Sequence, residues 1–457
     1  MTPAIDDAAS TSSPTRRLTN RHIQFIAIGG AIGAGLFLGS GKSIASAGPA
    51  AILIYAACGA FIFFMARALG ELTLRDPSGD AFVSYATRYI GSAAGFITGW
   101  SYWANWILVG ATEITATSVF VRYWYPTVPQ WVPAAATLAS VYAANIKAVR
   151  VFGEIEFWLA IIKILTIVLL IGGGLVAIVA PSVLHVEGAG FSNLFDHGGF
   201  FPHGWVGIVA IVPIALFAFG GVEVIALTAR EAKDPERSIP RAINGVVFRI
   251  LFFYVGSMIV AMSIAPWTSY SAGESPFVAI LTRIGIPAAA GIVNFVVLTA
   301  VVSSCNTGLF STGRMLAGLA RQRFAPASLG ITDSGLPRRS ISVSAACLAL
   351  TVVLNWLIPD DALSVLMAAV AYLLLWVWMI VLIAHRGMRR RLGPPEKGVF
   401  AMPLYPASSW ATMAFIASAT LLLVANSSAW IVTLAAGGWF AALALIALSR
   451  RIVPVLE

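Results

Sequence analysis

Twelve apolar runs, most of them long enough to cross a bilayer, divide this chain of 457 residues. A helix rises 1.5 Å per residue, so about 20 apolar residues cover ~30 Å of hydrocarbon. The runs lie near 23–44, 49–66, 92–121, 131–146, 157–180, 205–228, 249–268, 286–312, 340–358, 362–384, 409–426 and 429–449. The fourth is the shortest and is followed closely by Lys147 and Arg150. Charge is scarce, at 11% of residues against about 25% in an ordinary soluble domain. Mean hydropathy is +0.86. This balance excludes a secreted disulfide scaffold, a nucleic-acid binder and a disordered chain. It predicts an all-α integral membrane protein of twelve transmembrane helices whose solvent is the lipid bilayer.

The basic residues test that assignment, because cytoplasmic loops collect Lys and Arg. An even number of spans puts both termini on one side, and 25 of the 29 Lys and Arg then fall there. Lys42, Arg122 and Arg283 fall opposite, and Lys163 lies within a span. Misplacing one span would scramble this split. Both termini are therefore expected in the cytoplasm, and the net charge of +9 is read as positive-inside bias. Residues 1–22 are polar and show no cleavage site behind a short apolar core, so they read as a cytoplasmic tail. Tyr123, Trp124, Tyr125 and Trp131 flank an outer turn, with Trp205 and Trp267 at other outer ends, as an interfacial aromatic belt requires. Cys58, Cys305 and Cys347 show no metal or redox spacing, and His185, His197 and His203 in the outer loop match no metal pattern. No metal and no cofactor is expected.

Two spans look broken. Ile28 to Gly41 holds six glycines in fourteen residues. Gly29 with Gly33, and Gly35 with Gly39, have the spacing of small-residue helix contacts. The alternative is an unwound break at Ile32, Gly33, Ala34 and Gly35, since Gly costs about 1 kcal/mol relative to Ala in a helix interior. The first span alone leaves both readings open. In the sixth span, Pro213, the Gly220–Gly221 pair and Glu223 interrupt the apolar run near mid-depth. Interrupted helices at matching positions of two halves point to a transporter's central site. A free amino acid suits such a site: its carboxylate takes N–H groups at a half-helix N-terminus, and its ammonium takes freed carbonyls.

Ionisable residues at membrane depth are costly and mark function by default. Glu113 in span three, Lys163 in span five and Glu223 in span six qualify. Lys163, ~10 Å from the cytoplasmic edge at 1.5 Å per residue, either snorkels to the interface or carries a proton. Glu223 reads first as a carboxylate satisfying backbone groups freed at the span-six break. Glu113 lines the cavity or exchanges a proton, and both readings stand. Ser303 and Ser304, with Asn306 and Thr307, form a weaker polar cluster in span eight, where hydroxyls also simply join helices. No histidine lies inside a span and no nucleophile elbow or phosphate loop occurs, so no enzymatic activity is expected.

Four stretches carry a family resemblance: RRLTNRHIQFIAIGGAIGAGLFLGSG (16–41), GEIEFWLAIIKI (153–164), FAFGGVEVIALTAREAKDPERSIPRAI (217–243) and SSCNTGLFSTGRMLAGLA (303–320). They resemble bacterial amino-acid permeases of the amino acid–polyamine–organocation superfamily, in its amino acid transporter branch. PWTS and ESPFV (266–269, 274–278) with GIPAAAGIVNFVVLTA (285–300) look most like members taking glycine, D-alanine and D-serine. The resemblance implies a LeuT-like five-plus-five inverted repeat with broken helices 1 and 6, alternating access, and proton-coupled import of amino acids across the bacterial cytoplasmic membrane. The repeats would cover 23–180 and 205–384, separated by an outer loop at 181–204. A basic cytoplasmic loop at 385–408, helices eleven and twelve at 409–449 and a cytoplasmic end at 450–457 would follow.

By the same resemblance, Ile32, Gly33, Ala34 and Gly35 would hold the substrate carboxylate. Phe217, Ala218, Phe219 and Gly220 would form the second substrate segment, with an aromatic gate at Phe217, and Glu113 would face substrate or proton. Lys163 matches a lysine that replaces a sodium ion of sodium-coupled relatives. Two departures concern the substrate: most relatives have Thr at the position of Ala34, and the most similar ones carry Asp at that of Glu113. Permeases for aromatic amino acids, proline, histidine or lysine share these signatures, so those substrates, and exchange in place of symport, remain alternatives. A non-transporting amino-acid sensor on the same fold is a more distant one.

Overall fold

The structure is a computed structural model, and it describes residues 33–77, 81–147, 149–184, 186, 188–223, 234–271, 275–283, 287–333, 336–396, 398–425 and 430–449. Among the described residues it is helical, and the one β pairing is an isolated bridge between Asp333 and Leu336. A π-helical turn, Gly35–Gly39, runs into α1 (Ser40–Ala47). Then come α2 (Ala50–Arg75), α3 (Ala81–Tyr89), α4 (Ser92–Arg122), α5 (Trp131–Lys147), α6 (Val149–Val179) and α7 (Gly204–Ala218). After the 224–233 segment follow α8 (Pro235–Leu251), a second π turn (Phe252–Gly256), α9 (Ser257–Ile264), α10 (Pro276–Arg283) and α11 (Pro287–Arg321). The last four are α12 (Arg338–Leu357), α13 (Ala362–Leu392), α14 (Ala407–Ala425) and α15 (Trp430–Ser449).

Eight of the described helices are long and apolar enough to cross a membrane: Ala50–Arg75, Ser92–Arg122, Ile161–Val179, Gly291–Arg321, Arg338–Leu357, Ala362–Leu392, Ala407–Ala425 and Trp430–Ser449. Gly204–Ala218 and Phe252–Ile264 are shorter apolar helices. Three helices overrun the apolar stretches that announce them. α2 continues past Arg67 to Arg75, α11 past Arg314 to Arg321, and α13 past His385 to Leu392. Hydropathy stops at the first charges, but the backbone does not. Ala, Leu, Met and Arg are all strong helix formers, so the helix ends where its capping chemistry says. For α13 that is Gly393, at φ 72°, behind Arg389, Arg390 and Arg391 in the last turn. A left-handed glycine after the helix and cations against its negative dipole end are a normal stop. The beginning of the basic segment at 385–408 is therefore helical.

α4 occupies the centre, packed chiefly on α11 and α13 and also on α3, α5 and α12. Its position explains its burial: Thr112, Glu113, Thr115, Thr117 and Ser118 are all buried despite being polar. Peripheral helices instead expose large apolar side chains, such as Leu169 on α6, Leu350 on α12 and Leu445 on α15. That pattern suits a surface meeting hydrocarbon.

Candidate functional site

The Gly33–Gly35 segment and the end of α7 meet beside α4. On the first, Ile32 lies outside the described residues, and the regular helix begins at Ala34, where Leu36 and Phe37 donate N–H bonds to the Gly33 carbonyl (3.1 and 3.3 Å). On the second, α7 stops at Ala218. Phe219 N–H reaches back to Leu216 O (3.2 Å), and Gly220 N–H to Phe217 O (3.0 Å). Gly221 then turns the chain at φ 96°, a conformation side chains resist. The two segments touch. A Cβ placed on Gly35 would lie 2.9 Å from Ala218 Cα and 3.1 Å from the Phe217 ring. Only glycine allows the two backbones to approach this closely.

Glu113 approaches Gly33 and Ala34 from α4. Both of its carboxylate oxygens accept from Ala34 N–H, at 3.3 and 3.1 Å. A Cβ on Gly33 would fall 2.2 Å from Glu113 Oε1, so residue 33 must have no side chain. The carboxylate thus takes the N–H of the first helical residue described in this segment, a position where unsatisfied N–H groups and the positive dipole end favour an anion. Gly33, Gly35, Glu113, Phe217, Ala218 and Gly220 border one cavity. Six of the residues singled out in the sequence therefore share one wall, although about 180 positions separate the two segments.

Other singled-out residues lie elsewhere. Phe219 is fully buried outside the cavity lining, its ring stacked on Tyr254 (centroids 5.8 Å apart, 25° between planes). Glu223, also fully buried, accepts from Gly221 N–H with both oxygens at 3.2 Å and from the Tyr102 hydroxyl at 3.4 Å. Its carboxylate thereby closes the turn that ends α7. Lys163 is buried, donates to Ser303 Oγ at 3.2 Å and lies within electrostatic reach of Glu113. Ser304 is buried beside that pair in sequence. Cys58 and Cys305 are buried and Cys347 is half-buried. Among the described residues, no group of three or more His, Cys, Asp or Glu is arranged to hold a metal ion.

The cavity also has walls that sequence reasoning missed: Asn105, Trp106, Val109, Gly221 and Tyr254. The signal for the first three was present. Asn105, Val109 and Glu113 follow at intervals of four on α4, so they share a face of the helix. Extending the face that carries Glu113 back by two turns reaches the one amide of this span. Tyr254 had no such signal. It lies in the second π turn, and π turns often accompany functional sites. Its ring stacks on Tyr55 as well (5.6 Å), and Tyr55 is paired to Ser43 through its hydroxyl at 3.1 Å.

Comparison with known proteins identifies the family. The family described as "Amino acid permease" matches residues 22–449. The chain is similar to the uncharacterized amino acid permease YtnA of Bacillus subtilis (strain 168), 42% identical over 93% of this chain and 92% of that one. It is also similar to the D-serine/D-alanine/glycine transporter of Escherichia coli (strain K12), at 42% identity over 97% and 95%. The aromatic amino acid transport protein AroP of Shigella flexneri is 44% identical over 90% of each chain.

Proposed function

The chain belongs to the amino acid permease family, and from that premise we propose that it is a secondary active transporter that imports amino acids together with protons by alternating access. Small neutral amino acids, namely glycine, D-alanine and D-serine, are the first candidates, in keeping with the 42% identity to the D-serine/D-alanine/glycine transporter. The 44% identity to AroP favours an aromatic amino acid as a second reading.

In this reading the molecule is a multi-pass protein of the bacterial cytoplasmic membrane. It has twelve spans, both termini in the cytoplasm, and two inverted five-helix repeats at 23–180 and 205–384. The 181–204 loop separates the repeats, and the basic 385–408 segment joins them to the last two helices. The observation that carries the proposal is the occupied half-helix end: Glu113 already accepts the Ala34 N–H. An arriving amino acid brings a second carboxylate to the same donors. Two carboxylates cannot share one N–H unless a proton joins them or one moves away. Substrate entry and proton uptake thereby become one event at Glu113. Lys163, buried within reach of Glu113 and bonded to Ser303, then passes the proton towards the cytoplasm, while Phe217 closes over the bound substrate.

The test is uptake of labelled D-alanine by proteoliposomes under an inward proton gradient, with unlabelled amino acids as competitors. Concentrative uptake that collapses with the gradient and is blocked by glycine and D-serine is expected. Uptake only of aromatic amino acids would transfer the proposal to the second reading. Saturable binding without flux would overturn transport altogether.

A further inference from the structure

Asn105 stands in the cavity wall with its Oδ1 buried and accepting no hydrogen bond, on a side chain only 1% exposed. A buried carbonyl left unpaired is costly, and nearly all such groups in folded proteins have a partner. Four buried hydroxyls on α4 are satisfied locally: Thr112, Thr115, Thr117 and Ser118 each donate to the carbonyl four residues back, whereas Thr98 Oγ1 and Trp106 Nε1 are unpaired as Asn105 Oδ1 is. Asn105 has no such arrangement, and it faces the same cavity as Glu113.

Resting on the amino-acid reading above, we propose that Asn105 binds the substrate's side chain and, among the small amino acids the site accepts, favours those whose side chain carries a hydrogen-bond donor, D-serine ahead of D-alanine and glycine. The cavity has two ends. The half-helix N-terminus with Glu113 takes the main-chain charges, and Asn105 lies eight residues earlier on the same helix, about 12 Å of rise. Between them the lining on α4 is Trp106 and Val109, which offers no acceptor to a substrate. A substrate whose main-chain groups lie at Glu113 therefore directs its side chain along α4 towards the unpaired Asn105 carbonyl. A hydroxyl or amide there satisfies Oδ1; a methyl of equal size leaves it unpaired. Sites built around a buried polar group reject the analogue that lacks its partner.

The experiment measures competition against the labelled amino acid that accumulates in proteoliposomes, using two isosteric pairs, serine with 2-aminobutyrate and asparagine with leucine, in both enantiomers. In the unaltered protein the donor-bearing member of at least one pair should compete about ten-fold better, the worth of one satisfied buried acceptor. In Asn105→Leu the ratio within that pair should fall to about one or invert; the ratio, and not the absolute rate, is the readout. Should Asn105→Leu fail to fold, Asn105→Ala and the unaltered protein's own ratios still decide. Equal competition within both pairs, or a preference that survives in the variants, overturns the role of Asn105 while leaving amino-acid transport intact. Accumulation of no amino acid at all, by folded protein, overturns the transport reading and this inference with it.

Discussion

At the scale of single residues, the contact between Gly33 and Glu113 is the most exacting in the site. With a Cβ at residue 33 only 2.2 Å from Glu113 Oε1, Gly33→Ala must push the carboxylate off the Ala34 N–H. Uptake should drop at least about ten-fold, the scale of one lost charge-assisted hydrogen bond. Adding Glu113→Asp, whose side chain is one methylene shorter, should restore part of it, because the two changes share one contact. Full activity in Gly33→Ala alone would show that the carboxylate does not work from this position. Lys163 gives a second prediction. Lys163→Ala should lose accumulation driven by a pH gradient, and Lys163→Arg should lose it as fully, since arginine does not release its proton. Gradient-driven accumulation that persists in either variant removes Lys163 from the proton route.

At the scale of elements, two phenylalanines one residue apart at the end of α7 have different surroundings. Phe217 borders the cavity against Gly35, whereas Phe219 is buried against Tyr254 and Tyr55. Phe219→Ala should therefore act on stability, costing about 3–5 kcal/mol as large-to-small core changes do, and lowering the thermal unfolding midpoint in detergent. Phe217→Ala should leave the midpoint much closer to the parent and instead raise substrate leak from loaded vesicles. The reverse assignment of leak and melting would show that the turn after α7 is set differently. The cause of the difference is local: the helix ends between them, and Gly221 at φ 96° redirects everything that follows.

At the scale of the whole molecule, a buried charge cluster ties one end of α2 to α13 and to the segment after it. Glu71 Oε2 accepts from Arg389 at 2.8 Å and from Met402 N–H at 2.9 Å, and His385 Nε2 lies 3.0 Å from it. Glu71 and His385 are fully buried, and the Arg389 guanidinium lies over the Tyr405 ring (4.6 Å). Removing one partner of such a cluster strands the others away from water. Glu71→Gln should cost about 3 kcal/mol, read as a fall in the unfolding midpoint of the purified protein. An unchanged midpoint would mean that water already reaches these charges.

Much of this organisation was legible along the chain, and the reason is that hydropathy and backbone propensity are local properties. Membrane character follows from apolar length. The turn at Gly220–Gly221 follows from residues that make poor helix, and the ionisable residues within apolar runs declare themselves by their cost in lipid. Helix ends were less legible, because charge stops a hydropathy run without stopping a helix, as α2 and α13 demonstrate. Inward faces were hidden for another reason. Most of the spanning helices are apolar all round, so outside α4 no polar stripe marks which side meets protein. Only the packed structure brought Gly35 against Phe217, set Glu113 on the Ala34 N–H, and left Asn105 facing the cavity with its carbonyl free. Those contacts depend on how helices far apart in sequence approach one another, and spacing along one chain does not encode that approach.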